Sequence, residues 1–156
     1  MTPFAWLLGL ILPACGAEGA QGLKVPTVMD MTRIERPATP STFLAAPAGF
    51  RPEPDFVTAE QGLPAARLYE NARALFMKQT RTFVAAEFPD RLQVHYVVRS
   101  ALMNYPDLVT VQVNAAGEDR STLIIWSRSV YGRGDFGVNR KRTETWLAAL
   151  QQLLER

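Results

Sequence analysis

Residues 92–98 read Leu-Gln-Val-His-Tyr-Val-Val, with an apolar side chain at every second position. This period of two is typical of a β-strand that turns one face to a hydrophobic core. The predicted core face carries Leu92, Val94, Tyr96 and Val98. Gln93 and His95 fall on the opposite face. We therefore predict that His95 is an ordinary outward-facing strand residue rather than a catalytic base.

The same period continues along the chain on both sides of this stretch. It predicts four strands, over residues 80–88, 92–103, 107–115 and 120–131. The connections between them are short, which favours an antiparallel meander. Within the fourth strand, residues 123–126 read Leu-Ile-Ile-Trp, so the side chains on both faces of the strand are apolar. That strand is therefore expected in the interior of the sheet or covered on both faces.

Two amphipathic helices flank the predicted strands. The first spans residues 64–79, where apolar side chains recur every three or four residues, and the second spans 139–156. Their apolar stripes contain Leu68, Ala72, Leu75 and Phe76 in the first helix, and Trp146, Ala149, Leu150 and Leu153 in the second. The predicted fold class is α+β: a four-stranded antiparallel sheet (meander) with both helices packed on one face.

The length of 156 residues is enough for one domain with a substantial core. We assign this single α+β domain to residues 57–156 and a proline-rich tether to residues 15–56, which show neither helical nor strand periodicity. The alternative is that residues 25–31 or 43–50 pack against the domain.

The N-terminus resembles an export signal, predicted over residues 1–14. Residues 4–12 are apolar, and the following sequence Leu12-Pro-Ala-Cys-Gly16 resembles a bacterial lipobox. We expect Cys15 to be lipidated and to anchor the protein in the membrane, facing the periplasm of the cell envelope. Gly16 lacks the acidic character that retains lipoproteins in the inner membrane, which favours the outer membrane. The alternatives are secretion without lipid, a retained N-terminal anchor, or a misplaced start.

Charge and the scarcity of cysteine and histidine exclude several classes of function. Seventeen Lys and Arg residues against fifteen Asp and Glu give a net charge of +2, too little to indicate a nucleic-acid partner. The single cysteine, Cys15, and single histidine, His95, allow neither an internal disulfide nor a zinc cage. No metal and no organic cofactor is implied.

The most unusual segment is the basic glycine-rich turn, residues 127–142. Asp135 is its only acid, and Asn139 is predicted to cap the following helix, whose free backbone amides attract anions. The candidate anion-binding residues are Arg128, Arg133, Asn139, Arg140 and Arg142. The residues predicted to shape the turn are Gly132, Gly134, Asp135 and Gly137. In the alternative interpretation Asp135 folds back to cap the helix and pairs with one arginine, the glycines make a tight strand-to-helix turn, and the other cations are solvated.

Three parts of the sequence resemble an uncharacterised bacterial and plastid family, domain of unknown function family 1499. The motifs are Ser127-Arg-Ser129 with Gly132-Arg-Gly-Asp-Phe-Gly-Val-Asn-Arg140, Phe88-Pro-Asp90 and Tyr105-Pro-Asp107. The resemblance covers about residues 50–155. It implies an envelope-associated domain and no known chemistry.

Together these features predict an envelope lipoprotein whose domain binds an anionic ligand or a partner protein at the basic turn. One alternative is a structural or assembly factor of the envelope. A second alternative is an enzyme in which Asp90, Asp107 or Asp135 performs acid–base chemistry while arginines orient an anionic substrate. Catalysis is the less favoured reading, because acidic residues beside turns are ordinary turn formers.

Overall fold

The computed structural model describes residues 13–24 and 27–156. The strands are β1 (Thr42–Pro47), β2 (Phe56–Thr58), β3 (Thr82–Phe88), β4 (Gln93–Arg99), β5 (Pro106–Ala115) and β6 (Ser121–Ser129). The α-helices are α1 (Pro13–Gly16), α2 (Ala65–Phe76) and α3 (Val138–Leu154). Short 3₁₀ turns occur at Met31–Arg33 and Pro89–Arg91. None of the helices in this part of the chain is long and apolar enough to cross a bilayer.

All six strands form one sheet in the order β2-β1-β6-β5-β4-β3. Strands β3 to β6 make the predicted antiparallel meander, β1 pairs antiparallel with β6, and β2 pairs parallel with β1. The α+β class is confirmed. The sheet is six-stranded and mixed, so the prediction of a four-stranded, purely antiparallel sheet is wrong.

Strand β1 was missed because its sequence, Thr-Phe-Leu-Ala-Ala-Pro, has no alternation. Residues 43–46 are all buried, since β1 lies between β6 and β2 with a layer on each face. Such a strand reads as a short apolar run rather than as a period of two. The alternative that residues 43–50 pack against the domain therefore describes this region, and the extended tether predicted over residues 15–56 does not.

Helices α2 and α3 cover one face of the sheet, as predicted. Phe76 of α2 stacks on Trp146 of α3 with ring centroids 4.7 Å apart. Tyr96 of β4 meets the same indole edge-on at 5.8 Å. These aromatic rings lie in a core that also contains the apolar side chains of β4, β5 and β6 on this face, which we call the helix face.

The opposite face is covered by the N-terminal segment, residues 13–24 and 27–34, and we call it the strap face. Met31 packs there against Leu44 and Trp126. Polar side chains hold the segment in place, as when the Gln93 side chain pairs with the backbone of Met29 at 2.8 Å in both directions. His95 lies beneath this layer and is only 1% exposed, so the prediction that it faces outward is wrong.

Candidate functional site

Strand β6 divides the basic turn between the two faces of the sheet. Because side chains alternate along a strand, Ser127 and Ser129 point to the helix face, while Trp126 and Arg128 point to the strap face. The five candidate anion-binding residues are consequently not gathered in one place.

On the helix face, Asn139 organises a buried polar network. Its side-chain oxygen accepts hydrogen bonds from the Ser127 hydroxyl at 2.5 Å and from Arg142 Nη1 at 2.9 Å. Its amide nitrogen donates to Asp135 Oδ2 at 2.7 Å and to Ser129 Oγ at 3.0 Å. Asn139 is fully buried, and its hydrogen-bonding groups are used within the protein.

Arg142 extends this network to a buried ion pair. Its Nη2 donates to Asp107 Oδ2 at 2.5 Å, and the two side chains are 9% and 8% exposed. A buried guanidinium with a carboxylate partner has its charge compensated inside the fold. Arg142 therefore joins α3 to β5 and is not available to an external anion.

Asp135 caps helix α3. Its carboxylate accepts hydrogen bonds from the backbone N–H groups of Gly137 at 2.9 Å and Asn139 at 3.0 Å. Gly137 is the N-cap residue, so the prediction that Asn139 caps the helix is wrong; Asn139 lies in the first turn. The capping part of the alternative interpretation describes the geometry, because the Asp135 carboxylate occupies the place that an anion would take. Its pairing of Asp135 with an arginine is wrong, since no described arginine forms an ion pair with that carboxylate.

The glycine-rich turn has the predicted backbone at two of its three glycines. Gly132 and Gly137 have φ angles of 93° and 76°, which a residue with a β-carbon adopts with difficulty. Gly134 has no left-handed φ and no neighbour within 4 Å of a built β-carbon, so neither reason applies to it. Phe136 is left-handed instead, with a φ of 51°.

Two of the predicted anion-binding residues lie on the outer surface. Arg133 and Arg140 are exposed, and neither forms an ion pair with a carboxylate in the described part of the chain. Arg140 lies over the ring of Phe43, with its guanidinium carbon 5.3 Å from the ring centroid. Arg140 thus lies on the helix face, away from Arg128, and Arg133 does not line the groove that contains Arg128.

Arg128 lies in a groove of about 560 Å³ on the strap face. Its walls come from β6, from the start of β1 and from residues 29–39 of the N-terminal segment. The Arg128 side chain is half-buried and makes no hydrogen bond or ion pair with any described residue. Burial lowers the pKa of its guanidinium, but an arginine remains charged at any physiological pH.

His95 lies close enough to Arg128 to feel its charge. Its Nδ1 is 2.8 Å from Thr110 Oγ1, and its Nε2 has no hydrogen-bond partner within the described residues. Burial is the main cause that lowers the pKa of His95 to about 4, and the positive charge of Arg128 adds to this effect. A backbone contact from Thr27 opposes it. The imidazole is therefore neutral at pH 7.

The groove around Arg128 includes residues that the sequence did not point to. Trp126 contributes an apolar wall, and Ser41 and Thr42 bring hydroxyl groups from the missed strand β1 and the residue before it. The one indication in the sequence was that Trp126 and Arg128 are two residues apart on β6, so that their side chains lie on the same face. Of residues 29–39, only 29–31 fall in a stretch, residues 25–31, for which packing against the domain was an alternative.

The carboxylates considered for catalysis do not converge in one cavity. Asp90 is exposed in the turn between β3 and β4, whereas Asp107 is ion-paired and Asp135 caps α3. The described residues also contain no group of three histidine, cysteine or acidic side chains placed to hold a metal.

Most of the predicted signal segment, residues 1–12, lies outside the described residues. Cys15 lies within the described residues and is a free, fully buried thiol in α1. Burial raises the pKa of this thiol, and the positive charge of Arg99 opposes that increase. Arg99 Nη1 donates to the Ala14 carbonyl, and Asn104 Nδ2 donates to the Cys15 carbonyl at 2.7 Å. Any reaction at this thiol requires α1 to leave the strap face.

The fold and its polar groups define an α+β domain with a helix-covered face, a strap-covered face and, at Arg128, a half-buried guanidinium that has no hydrogen-bond or ion-pair partner among the described residues. Residues 34–150, three quarters of the chain, match the family described as Protein of unknown function (DUF1499), and the chain belongs to that family. The match begins upstream of β1, in agreement with the place of that strand inside the sheet. No curated protein and no solved structure matches the chain.

Proposed function

We propose that this domain is a non-catalytic binding module for an anionic small molecule or headgroup, phosphate or carboxylate in character, held in the groove at Arg128. The observation that carries the proposal is the state of that guanidinium, which is half-buried, charged and without a partner among the described residues. Burying a charge without a counter-ion is costly, and a bound anion would remove that cost.

The composition of the groove suits such a ligand. Guanidinium groups bind carboxylate and phosphate oxygens through two parallel hydrogen bonds, which gives orientation as well as affinity. Hydroxyl groups of Thr39, Ser41 and Thr42 add polar contacts, and Trp126 offers an apolar surface for the rest of the ligand.

Other cations contribute less to this groove. Arg36 is paired with Asp55 at 2.9 Å, and Arg33 is almost fully exposed beside Asp30. Glu35, on the wall of the groove, makes no ion pair with Arg128. The unpaired positive charge is thus concentrated at Arg128.

A second candidate function is a structural or assembly role through a protein partner. It is favoured by an apolar groove of about 310 Å³ between the short edge strand β2 and helix α3. Phe56 and Val57 of β2 are 40% and 58% exposed, and the free edge of this strand can accept another strand.

We also propose that the protein is attached to the envelope membrane by lipid on Cys15. The support is the lipobox-like sequence of residues 12–16, which contains the single cysteine of the chain. Mass spectrometry of the native protein tests this: a diacylglycerol adduct on Cys15 is expected. An unmodified N-terminal peptide that still contains residues 1–14 would contradict it.

The anion proposal is tested by thermal-shift titration with phosphate, phosphorylated metabolites and dicarboxylates. We expect at least one of these anions to raise the melting temperature of the wild type and of Arg133→Ala, a matched control that removes an exposed cation. Arg128→Leu should lose the shift while keeping its own melting temperature. If no anion shifts the wild type, or if Arg128→Leu responds as fully as Arg133→Ala, the proposal fails.

A further inference from the structure

We propose that the end of the sheet bearing the glycine-rich turn docks on an anionic lipid surface, with Phe136 inserting between headgroups. This inference does not rest on the proposed ligand in the Arg128 groove. Its central observation is the position of Phe136, whose side chain is completely exposed at the tip of the turn, with a relative accessibility of 105%.

The backbone at this position does not favour a phenylalanine, because the left-handed φ of 51° is one that glycine or asparagine adopts at lower cost. The Phe136 side chain makes no ring contact with the aromatic residues in the described part of the chain. The turn is nevertheless fixed, since Asp135 binds the amides on both sides of Val138. A rigid turn therefore holds a large apolar side chain in water, an arrangement that favours insertion into an apolar phase.

Further apolar side chains lie at the same end of the sheet. The N–H of Val130, just after β6, donates to the carbonyl of Pro106 at the start of β5, so the β4–β5 loop and the glycine-rich turn are neighbours. Leu102 of that loop is 66% exposed, and Val138 is 46% exposed. Several apolar groups at one end give a membrane-facing surface more than a single contact.

The described chain also begins at this end. Ala14 and Cys15 are held by Arg99, the last residue of β4, and by Asn104 of the β4–β5 loop. The lipid proposed on Cys15 would attach the chain to the membrane at this end of the sheet. A membrane attached through the N-terminus would therefore lie next to the glycine-rich turn.

The charges around Phe136 select an anionic surface. Arg133, Arg140 and Lys141 are exposed and form no ion pair with a described carboxylate. The nearby Asp135 is engaged in capping α3. Cations beside an inserted aromatic ring are attracted to anionic lipid headgroups.

The experiment measures the depth of the tip in the membrane, a quantity that attachment through the N-terminus does not by itself set. A full-length Cys15→Ala/Phe136→Cys variant carries an environment-sensitive fluorophore at position 136, and a matched variant carries it at position 57 through Val57→Cys. Val57 is exposed on edge strand β2. Both are mixed with phosphatidylcholine vesicles and with phosphatidylcholine–phosphatidylglycerol vesicles.

We expect a blue shift at position 136, with quenching by lipid-borne quenchers, only on the vesicles that contain phosphatidylglycerol. The probe at position 57 should stay water-like on both. Adding Arg133→Glu and Lys141→Glu should abolish the shift, whereas Arg128→Leu should leave it intact, which separates this inference from the anion-binding proposal. A water-like probe at position 136 on the anionic vesicles overturns the inference and makes a protein partner the better reading of the tip.

Discussion

The two faces of the sheet at strand β6 differ in whether the charge of a buried or half-buried arginine is compensated. On the helix face, Asn139, Asp107 and Arg142 satisfy one another in a buried network. On the strap face, Arg128 has no counter-ion among the described residues. Each face also holds one buried polar atom without a hydrogen-bond partner in the described chain, His95 Nε2 on the strap face and Thr143 Oγ1 on the helix face. The contrast teaches that a cluster of arginines in a sequence does not make a site. The cation left uncompensated by the fold is the better candidate for function.

Breaking the ion pair on the helix face should have the largest effect on stability. Arg142→Met leaves Asp107 buried without a partner, and we expect the free energy of unfolding to fall by about 3–5 kcal/mol. Urea denaturation measures the loss. The double variant Arg142→Met/Asp107→Leu should recover much of it, because no buried charge remains. A loss below about 1 kcal/mol in the single variant would show that this pair is no stronger than an exposed one.

The free energy of unfolding should depend on pH through His95, which is buried on the strap face. The folded protein holds the pKa of His95 at about 4, below its ordinary value of 6.5. The unfolded chain therefore binds the proton more tightly, and stability falls as the pH drops from about 6.5 toward 4. The expected loss from this one group at pH 4.5 is about 2–3 kcal/mol.

Urea denaturation of the wild type and of His95→Gln at several pH values isolates the contribution of His95 to the free energy of unfolding. The carboxylates titrate in both proteins, so their contribution cancels in the comparison. The gap between the two stability curves should narrow or reverse as the solution is acidified. Parallel curves would mean that His95 does not remain neutral beneath the N-terminal segment.

The Asp135 cap on α3 should contribute a smaller amount to the free energy of unfolding. Asp135→Ala removes two hydrogen bonds to backbone amides, and we expect a loss of about 0.5–2 kcal/mol in the free energy of unfolding. Asp119→Ala, which removes an exposed aspartate from the β5–β6 turn, is the matched control and should change little. Equal behaviour of the two variants would show that the turn does not depend on this carboxylate.

Removing the unpaired cation should have the smallest effect on the fold. Because Arg128 has no hydrogen-bond or ion-pair partner among the described residues, Arg128→Leu is expected to change the free energy of unfolding by less than about 0.5 kcal/mol or to raise it. Thermal unfolding beside Arg142→Met gives the comparison directly. A destabilisation as large as that of Arg142→Met would assign Arg128 a structural role and remove the contrast between the faces.

Local patterns predicted most of the secondary structure. The meander β3–β6 and helices α2 and α3 follow from hydrophobic periods that need only neighbouring residues. The missed elements have no period to read: β1 is buried on both faces, and β2 has three residues. The N-terminal segment reads as a proline-rich linker, although long-range hydrogen bonds, such as that from Gln93 to Met29, hold it on the sheet.

The candidate site was less predictable than the fold. The sequence identified the basic turn and both interpretations of Asp135, but not which arginine remains unpaired. That outcome depends on Asp107, thirty-five residues from Arg142 in the chain, and on a wall formed by residues 29–39. Side-chain parity on β6 was the only local clue.

The sequence by itself determined the helices, the antiparallel meander and the family to which this chain belongs, because periodicity and short motifs are properties of adjacent residues. The tertiary structure decided that a second layer covers the strap face, that β1 enters the sheet, and that Arg142 is compensated while Arg128 is not. The physical reason is that burial and charge compensation are set by groups far apart in the chain, as Ser41 and Asn139 are, and these meet only once the sheet has formed.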